Sequence, residues 1–249
     1  HLYRLEFINL NYTLSFDGLG LYFILLTLLL FTLCVLLVWN LKYKLHDFLA
    51  ALFIINFLLI NVFGVIDLIF FYIFFEALLI PMFLLIGVWG SRERKIVAAY
   101  QFFLYTLFGS LFMLISVFFL YSHFGTADFK IFTTFSVTFT RQLVFWLLFF
   151  FAIAVKVPMF PVHIWLPEAH VEAPTAGSVI LAGVLLKLGL FALIKFLFPV
   201  FANASVVYSP LILLIAVIGI VYASSSTLSQ IDMKKMVAYS SVAHMNFAV

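Results

Sequence analysis

The chain has 249 residues, of which 67% are hydrophobic and 9% charged, with a mean hydropathy of +1.27 and a formal charge of +3. That composition excludes a soluble globular domain and describes a polytopic membrane protein, because each crossing of the hydrocarbon takes about 20 mostly apolar residues. The bases form no basic block, which excludes nucleic acid as a partner and leaves membrane lipid as the surroundings.

In chain order, residues 1–18 form a leading segment that opens on His1 rather than methionine. Apolar runs between charged or turn-forming residues then predict helical spans at about 19–39, 48–64, 67–89, 97–121, 143–167, 175–198 and 210–228, and the start of an eighth from 236. The fold class is therefore all-α. The last run, "AYSSVAHMNFAV", stops partway, so a longer protein or a split-gene product is expected, with a companion chain or an extension completing the eighth helix. Cys34 is the sole cysteine and lies in the first span, so neither a disulfide framework nor a thiolate metal site can be assembled within the chain.

Because loops alternate sides, their bases set the orientation. Lys42, Lys44, Arg92, Arg94, Lys95, Lys234 and Lys235 collect on one side, which should face the cytoplasm or the mitochondrial matrix. Lys130 and Arg141 lie on the other side, with Arg4 and Lys195 near it; Lys195 is expected to snorkel to the interface and to tolerate replacement. The one long connection, 122–142, contains "IFTTFSVTFT", which fits a short interfacial strand or helix.

Three charges are not in loops. Glu76, Lys156 and Lys187 lie near the middles of the third, fifth and sixth spans, and His244 reaches similar depth if its helix is completed. A mid-bilayer Lys or Glu costs about 2.5–3.5 kcal/mol on insertion scales, so these groups need one another or internal water. A structural ion pair that staples helices is one reading. The other is proton transfer, since the proton affinity of a desolvated lysine beside ionisable neighbours is easily moved.

In "FAIAVKVPMFPVHIWLPEAH", Pro158 and Pro161 cannot donate backbone hydrogen bonds, and Pro158 crowds the carbonyl of Ala154. The fifth span should break just after Lys156, leaving the lysine beside freed carbonyls and water. A plain proline kink is the bland alternative, but it leaves the lysine unexplained. His163, Glu168, His170 and Glu172 fit no metal template, since Pro167 and Pro174 prevent one helix from presenting them all. An interfacial turn suits them better, with His163, Glu168 and His170 at the inner mouth of a proton path. His46 and His123 read as ordinary loop residues, the 34 phenylalanines as lipid-facing and packing surface, and the small residues of "GSVILAG" as a close helix contact.

"FFEALLIPMFLLIGVWGSRERK", "AVKVPMFPVHIWLPEAHVEAPTAGSVILAGVLLKLG" and "IDMKKMVAYSSVAHMN" together resemble the antiporter-like membrane subunits of proton-pumping NADH:ubiquinone oxidoreductase, respiratory complex I, in their mitochondrial subunit-4 type. The resemblance runs from about Asp17 onward, and these stretches differ from their counterparts in the related subunits 2 and 5. It implies two inverted five-helix repeats, each with a broken helix, with the eight spans here matching the third to tenth helices. Residues 19–198 would then hold the first half channel and 199–249 the truncated start of the second repeat.

The resemblance further implies that Glu76 and Lys156 are the charged pair of that half channel and that Lys187 and His244 continue a polar axis. It implies a mitochondrial inner-membrane location, or a bacterial plasma membrane in the alternative, among other membrane-arm subunits, antiporter-like subunits 2 and 5 included. No cofactor is expected on this chain; NAD, FMN, iron–sulfur clusters and ubiquinone belong to the complex as a whole. Two other classes stay open: a subunit of a multisubunit sodium/proton antiporter, using the same buried charges, and a non-transporting membrane scaffold.

Overall fold

The described residues of this computed structural model are 3–5, 10–39, 43–134 and 137–249, those before Tyr12 by backbone alone. Lys42, the Arg4 side chain, His1 and residues 135–136 of the long connection lie outside the described residues. Seven helices among the described residues are long and apolar enough to cross a membrane. They are α1 (Gly18–Leu37), α2 (Leu45–Gly64), α3 (Leu68–Trp89), α4 (Lys95–Phe124), α6 (Phe139–Lys156), α8 (Thr175–Val200) and α9 (Ala202–Ser229). Shorter helices α5 (Phe129–Thr134), α7 (Trp165–Glu172) and α10 (Met233–Ala248) lie between or after them. A small antiparallel ribbon, β1 (Tyr3–Leu5) with β2 (Leu10–Tyr12), precedes α1. The "IFTTFSVTFT" connection is helical over α5 rather than extended.

Hydroxyl groups within the spans are satisfied locally. Thr32 and Thr106 donate to the carbonyls of Leu28 and Phe102, one turn back, at 2.9 and 2.7 Å. The same device moves one boundary. The ninth helix begins at Ala202, not near 210, and carries Pro210 inside it. Proline leaves the Val206 carbonyl without its helical donor, and the Ser209 hydroxyl takes that carbonyl at 2.9 Å, so the helix runs through the proline.

The sixth span, α8, is the axis of the bundle: 61% of its membrane window is buried, against 22% for α1 and for α9. Its Phe191 packs edge-on to Phe63 at 5.0 Å, and its Phe196 lies 4.4 Å from Phe71. Two π-helical turns interrupt it, Leu181–Leu185 and Leu193–Leu197. Such wide turns recur at functional positions in helices, and no residue type in the sequence announces them. Close approaches depend on missing side chains. A Cβ at Gly109 of α4 would stand 2.9 Å from that of Val155, and one at Gly183 would collide with Leu30 of α1.

The connections gather at two ends, as alternation requires. At one end Trp89 Nε1 donates to the Tyr43 carbonyl (3.1 Å), the Ser91 amide to the Glu172 carbonyl (2.9 Å), and Arg92 pairs with Asp232 (2.5 Å). At the other, the Leu68 amide bonds to Ala127 (3.0 Å), and Asp67 caps α3 through the amides of Ile69 and Phe70.

Candidate functional site

The fifth span is two helices. α6 ends at Lys156, Pro158 and Pro161 occupy the turn that follows, and α7 resumes at Trp165. The break is expected to leave carbonyls beside water; three carbonyls around it have protein donors instead. Ala154 accepts from the Met159 amide (2.8 Å), Val155 from the indole of Trp165 (2.9 Å), and Pro158 from the side-chain amide of Asn246 (3.3 Å). The physical reason is reach: a backbone amide, the next half-helix and α10 each bring a donor to the break, and an unmet carbonyl in this apolar interior is costly. Trp165 is fully buried with its ring 5.5 Å from Phe102. Trp165→Phe should keep that packing yet orphan the Val155 carbonyl, lowering stability by about 1–3 kcal/mol in thermal denaturation of detergent-solubilised protein.

Lys156 is 3% exposed, and its buried ammonium has no hydrogen-bond acceptor and lies 4.5 Å from the centre of the Phe75 ring. Glu76, next to Phe75, interacts with it electrostatically, but the two make no ion pair of 4 Å or less among the described residues. The Tyr72 hydroxyl, one turn before Glu76, is within hydrogen-bonding reach of that carboxylate and of Ser110 on α4. Glu76 also sits at a helix interruption. α3 consists of Leu68–Ala77 and Leu79–Trp89, joined at Leu78, and Pro81, four residues after Ala77, leaves the Ala77 carbonyl without its helical donor. Both charges thus stand just before a proline-made discontinuity. Sequence reading missed Tyr72, Ser110, Trp165 and Asn246; the spacing of Tyr72 to Glu76 was the only local signal.

The remaining candidates are not drawn into one cluster. Lys187 is half-buried on α8, and its ammonium donates to the Ala182 carbonyl in the first π-helical turn. Gly189, two residues on, brings α8 against the backbone of Val157, beside Lys156. His244 lies on the exposed face of α10 and makes no hydrogen bond or ion pair with Lys156 or Lys187 among the described residues. His163 is buried beside Phe160 and Tyr222, its ring 5.1 Å from the latter. Glu168 pairs with Lys235 at 3.3 Å, and Lys234 reaches the carbonyls of Val171 and Ala173 at the end of α7, where the helix dipole favours a cation. No three His, Cys, Asp or Glu side chains converge on a metal-sized site among the described residues.

Lys195 has a partner that its position in the sequence does not announce. It is 8% exposed, with its ammonium 2.9 Å from Asp17 at the start of α1, the end of that span, and beside the rings of Phe191 and Phe196. Because Asp17 is largely solvated, Lys195→Ala should cost about 1 kcal/mol of thermal stability, and Lys195→Met, which keeps the stem, less.

At the end where α7 stops, burial, reinforced by Lys234, holds His170 below the ordinary histidine range. A group with a depressed folded pKa of this kind favours folding while neutral. That contribution is present above about pH 6.5, the unfolded value, and is lost as pH falls through the lower folded one. Protection of the amides of residues 165–172, taken relative to their intrinsic exchange rates at each pH, should therefore fall on acidification below pH 6.5, and less so in His170→Gln. Arg92 likewise holds Asp232 below the usual carboxylate range through its hydrogen bond.

A polytopic bundle with a half-helix break after a buried lysine, and a carboxylate on the facing bent helix, defines an antiporter-like membrane protein. Residues 65–249 match the family model described as NADH:quinone oxidoreductase/Mrp antiporter, TM, and the chain belongs to that family as a multi-pass inner-membrane protein. It is 53% identical over 242 residues to NADH-ubiquinone oxidoreductase chain 4 of Acanthamoeba castellanii, covering 97% of this chain and 49% of that one. With the same-named chain of Prototheca wickerhamii it shares 56% over 243 residues, covering 97% and 46%. A chain of respiratory complex I from Thermus thermophilus with bound NADH superimposes with a TM-score of 0.87 at 32% identity, covering 98% of this chain and 52% of that one. The chain spans about half the length of the curated relatives it matches.

Proposed function

We propose that this chain moves protons as a membrane-arm subunit of respiratory NADH:ubiquinone oxidoreductase in the mitochondrial inner membrane. Other subunits would hold NAD, FMN, the iron–sulfur clusters and ubiquinone and carry out the electron transfer, with antiporter-like subunits 2 and 5 among the neighbours. The observation that carries the reading is the Lys156 ammonium. It is buried and without an acceptor, at a helix break, opposite a carboxylate that interacts with it without touching it.

An unpaired buried cation has no stabilising role, but its hold on a proton follows the distance of the nearest anion. When the Glu76 carboxylate leaves the Tyr72 hydroxyl and approaches Lys156, the protonated lysine is favoured; when it withdraws, the proton passes toward Lys187 and on to His244. Protons would be taken up at the end that carries Glu168, His163 and His170.

The test is native-gel separation of mildly solubilised source membranes, with an NADH-oxidation stain and mass spectrometry of this chain. Migration in the large stained band with flavin subunits supports the reading. Migration in a smaller unstained assembly overturns it, and sodium-coupled transport by vesicles would then identify an antiporter subunit.

A further inference from the structure

α10 grips the broken helix at both of its ends. Near its start, Lys234 and Lys235 hold the carbonyls of Val171 and Ala173 and the Glu168 carboxylate. Twelve residues after Lys234, Asn246 reaches the backbone of the break: its Nδ2 donates to the Pro158 carbonyl at 3.3 Å and to the Val242 carbonyl of its own helix at 2.8 Å.

Three observations separate this amide from ordinary packing. Asn246 is 1% exposed, and a polar group so deep costs free energy unless its bonds are made. Both of its acceptors are carbonyls, so only the NH2 end fits toward the break and the orientation of the amide is settled by chemistry. Its Oδ1 is buried without a partner, and on α9 Gly219 leaves just the space the amide fills, since a Cβ there would collide with it. An apolar residue would fill the same volume without an orphaned oxygen; what it would lose is the bond to Pro158.

We propose that Asn246 is a positioning residue that fixes the break after Lys156 and ties it to α10, the helix that carries His244. Pro158 is two residues from Lys156, so a shift of α10 is passed through one hydrogen bond to the backbone that sets where the ammonium sits. The two halves of the proposed path are then coupled by mechanics as well as by charge. The inference rests on the transport reading above for its consequence, but not for its geometry.

The test uses the assembled complex in liposomes with two variants, Asn246→Leu, which removes the donor, and Gly219→Ala, which displaces the amide without deleting it. Both are expected to speed amide exchange in residues 157–164 by roughly tenfold, the factor for one lost hydrogen bond, with exchange in α4 unchanged. Both should also move the pH profile of coupled turnover and lower protons pumped per NADH, and Asn246→Leu should add nothing to Lys156→Ala. Unchanged exchange at 157–164 in both variants would overturn the proposal. So would faster exchange with an unaltered pH profile while Lys156→Ala abolishes pumping. If Lys156→Ala itself pumps fully, the transport reading falls, and faster exchange still supports Asn246 as the tie at the break.

Discussion

Replacing Lys156 with alanine in the assembled complex is expected to reduce proton pumping and coupled NADH:ubiquinone turnover by about tenfold or more, the scale on which a lost proton-transfer group acts. The same variant should leave thermal stability unchanged or slightly raised. The reason lies in the geometry: the ammonium has no acceptor and no ion pair within 4 Å among the described residues, so its removal breaks no hydrogen bond or contact ion pair, and the relief of its desolvation offsets the cavity left and the attraction Glu76 loses. A structural staple would behave in the opposite way, losing stability first and activity only as a consequence. Glu76→Ala should follow Lys156→Ala in pumping, because the carboxylate is the anion whose approach is proposed to hold the lysine's proton. A fully coupled Lys156→Ala complex would remove Lys156 from the path.

Gly189→Val is expected to be the most damaging change to the bundle itself. A single Cβ at this position already collides with the Val157 side chain, lies 3.3 Å from the Val157 amide nitrogen and 3.5 Å from Lys156 Cβ. A branched side chain must therefore push α8 off α6 beside the break, and overpacking in a close-packed interior costs about 1–3 kcal/mol or more. α8 also carries Phe191 and Phe196, so the displacement spreads into the aromatic cluster with Phe63 and Phe71. Native gels should show loss of the assembled complex, with Gly189→Ala milder. Gly18→Ala, where a Cβ meets nothing within 4 Å, is the control expected to assemble normally.

Most of the fold was legible because membrane helices announce themselves one at a time. Each apolar run between Lys, Arg, Gly or Pro folds on itself, and the seven helices among the described residues that are long and apolar enough to cross a membrane lie where those runs do. The break after Lys156 was legible for the same reason, since proline acts on the residue four before it. Boundaries failed where a neighbouring side chain altered that local rule, as Ser209 does for Pro210. The site was legible only in part. Glu76, Lys156 and Lys187 stand out because charge is scarce in apolar spans, whereas Tyr72, Ser110 and Asn246 look like any polar residue in a helix until their partners are known.

By itself, then, the order of residues determined the class of protein, the number and rough position of its membrane-length helices, and which charges lie within them. These follow from hydrocarbon thickness and from hydrogen bonds made within each helix. Only the tertiary structure decided what those charges face: Lys156 on Phe75 rather than bonded to Glu76, Lys195 paired with Asp17, and the break tied by Trp165 and Asn246. The physical reason is that such contacts join residues up to 178 positions apart, as Asp17 and Lys195 are, and depend on which helix faces which, a choice made by packing and not by any local rule.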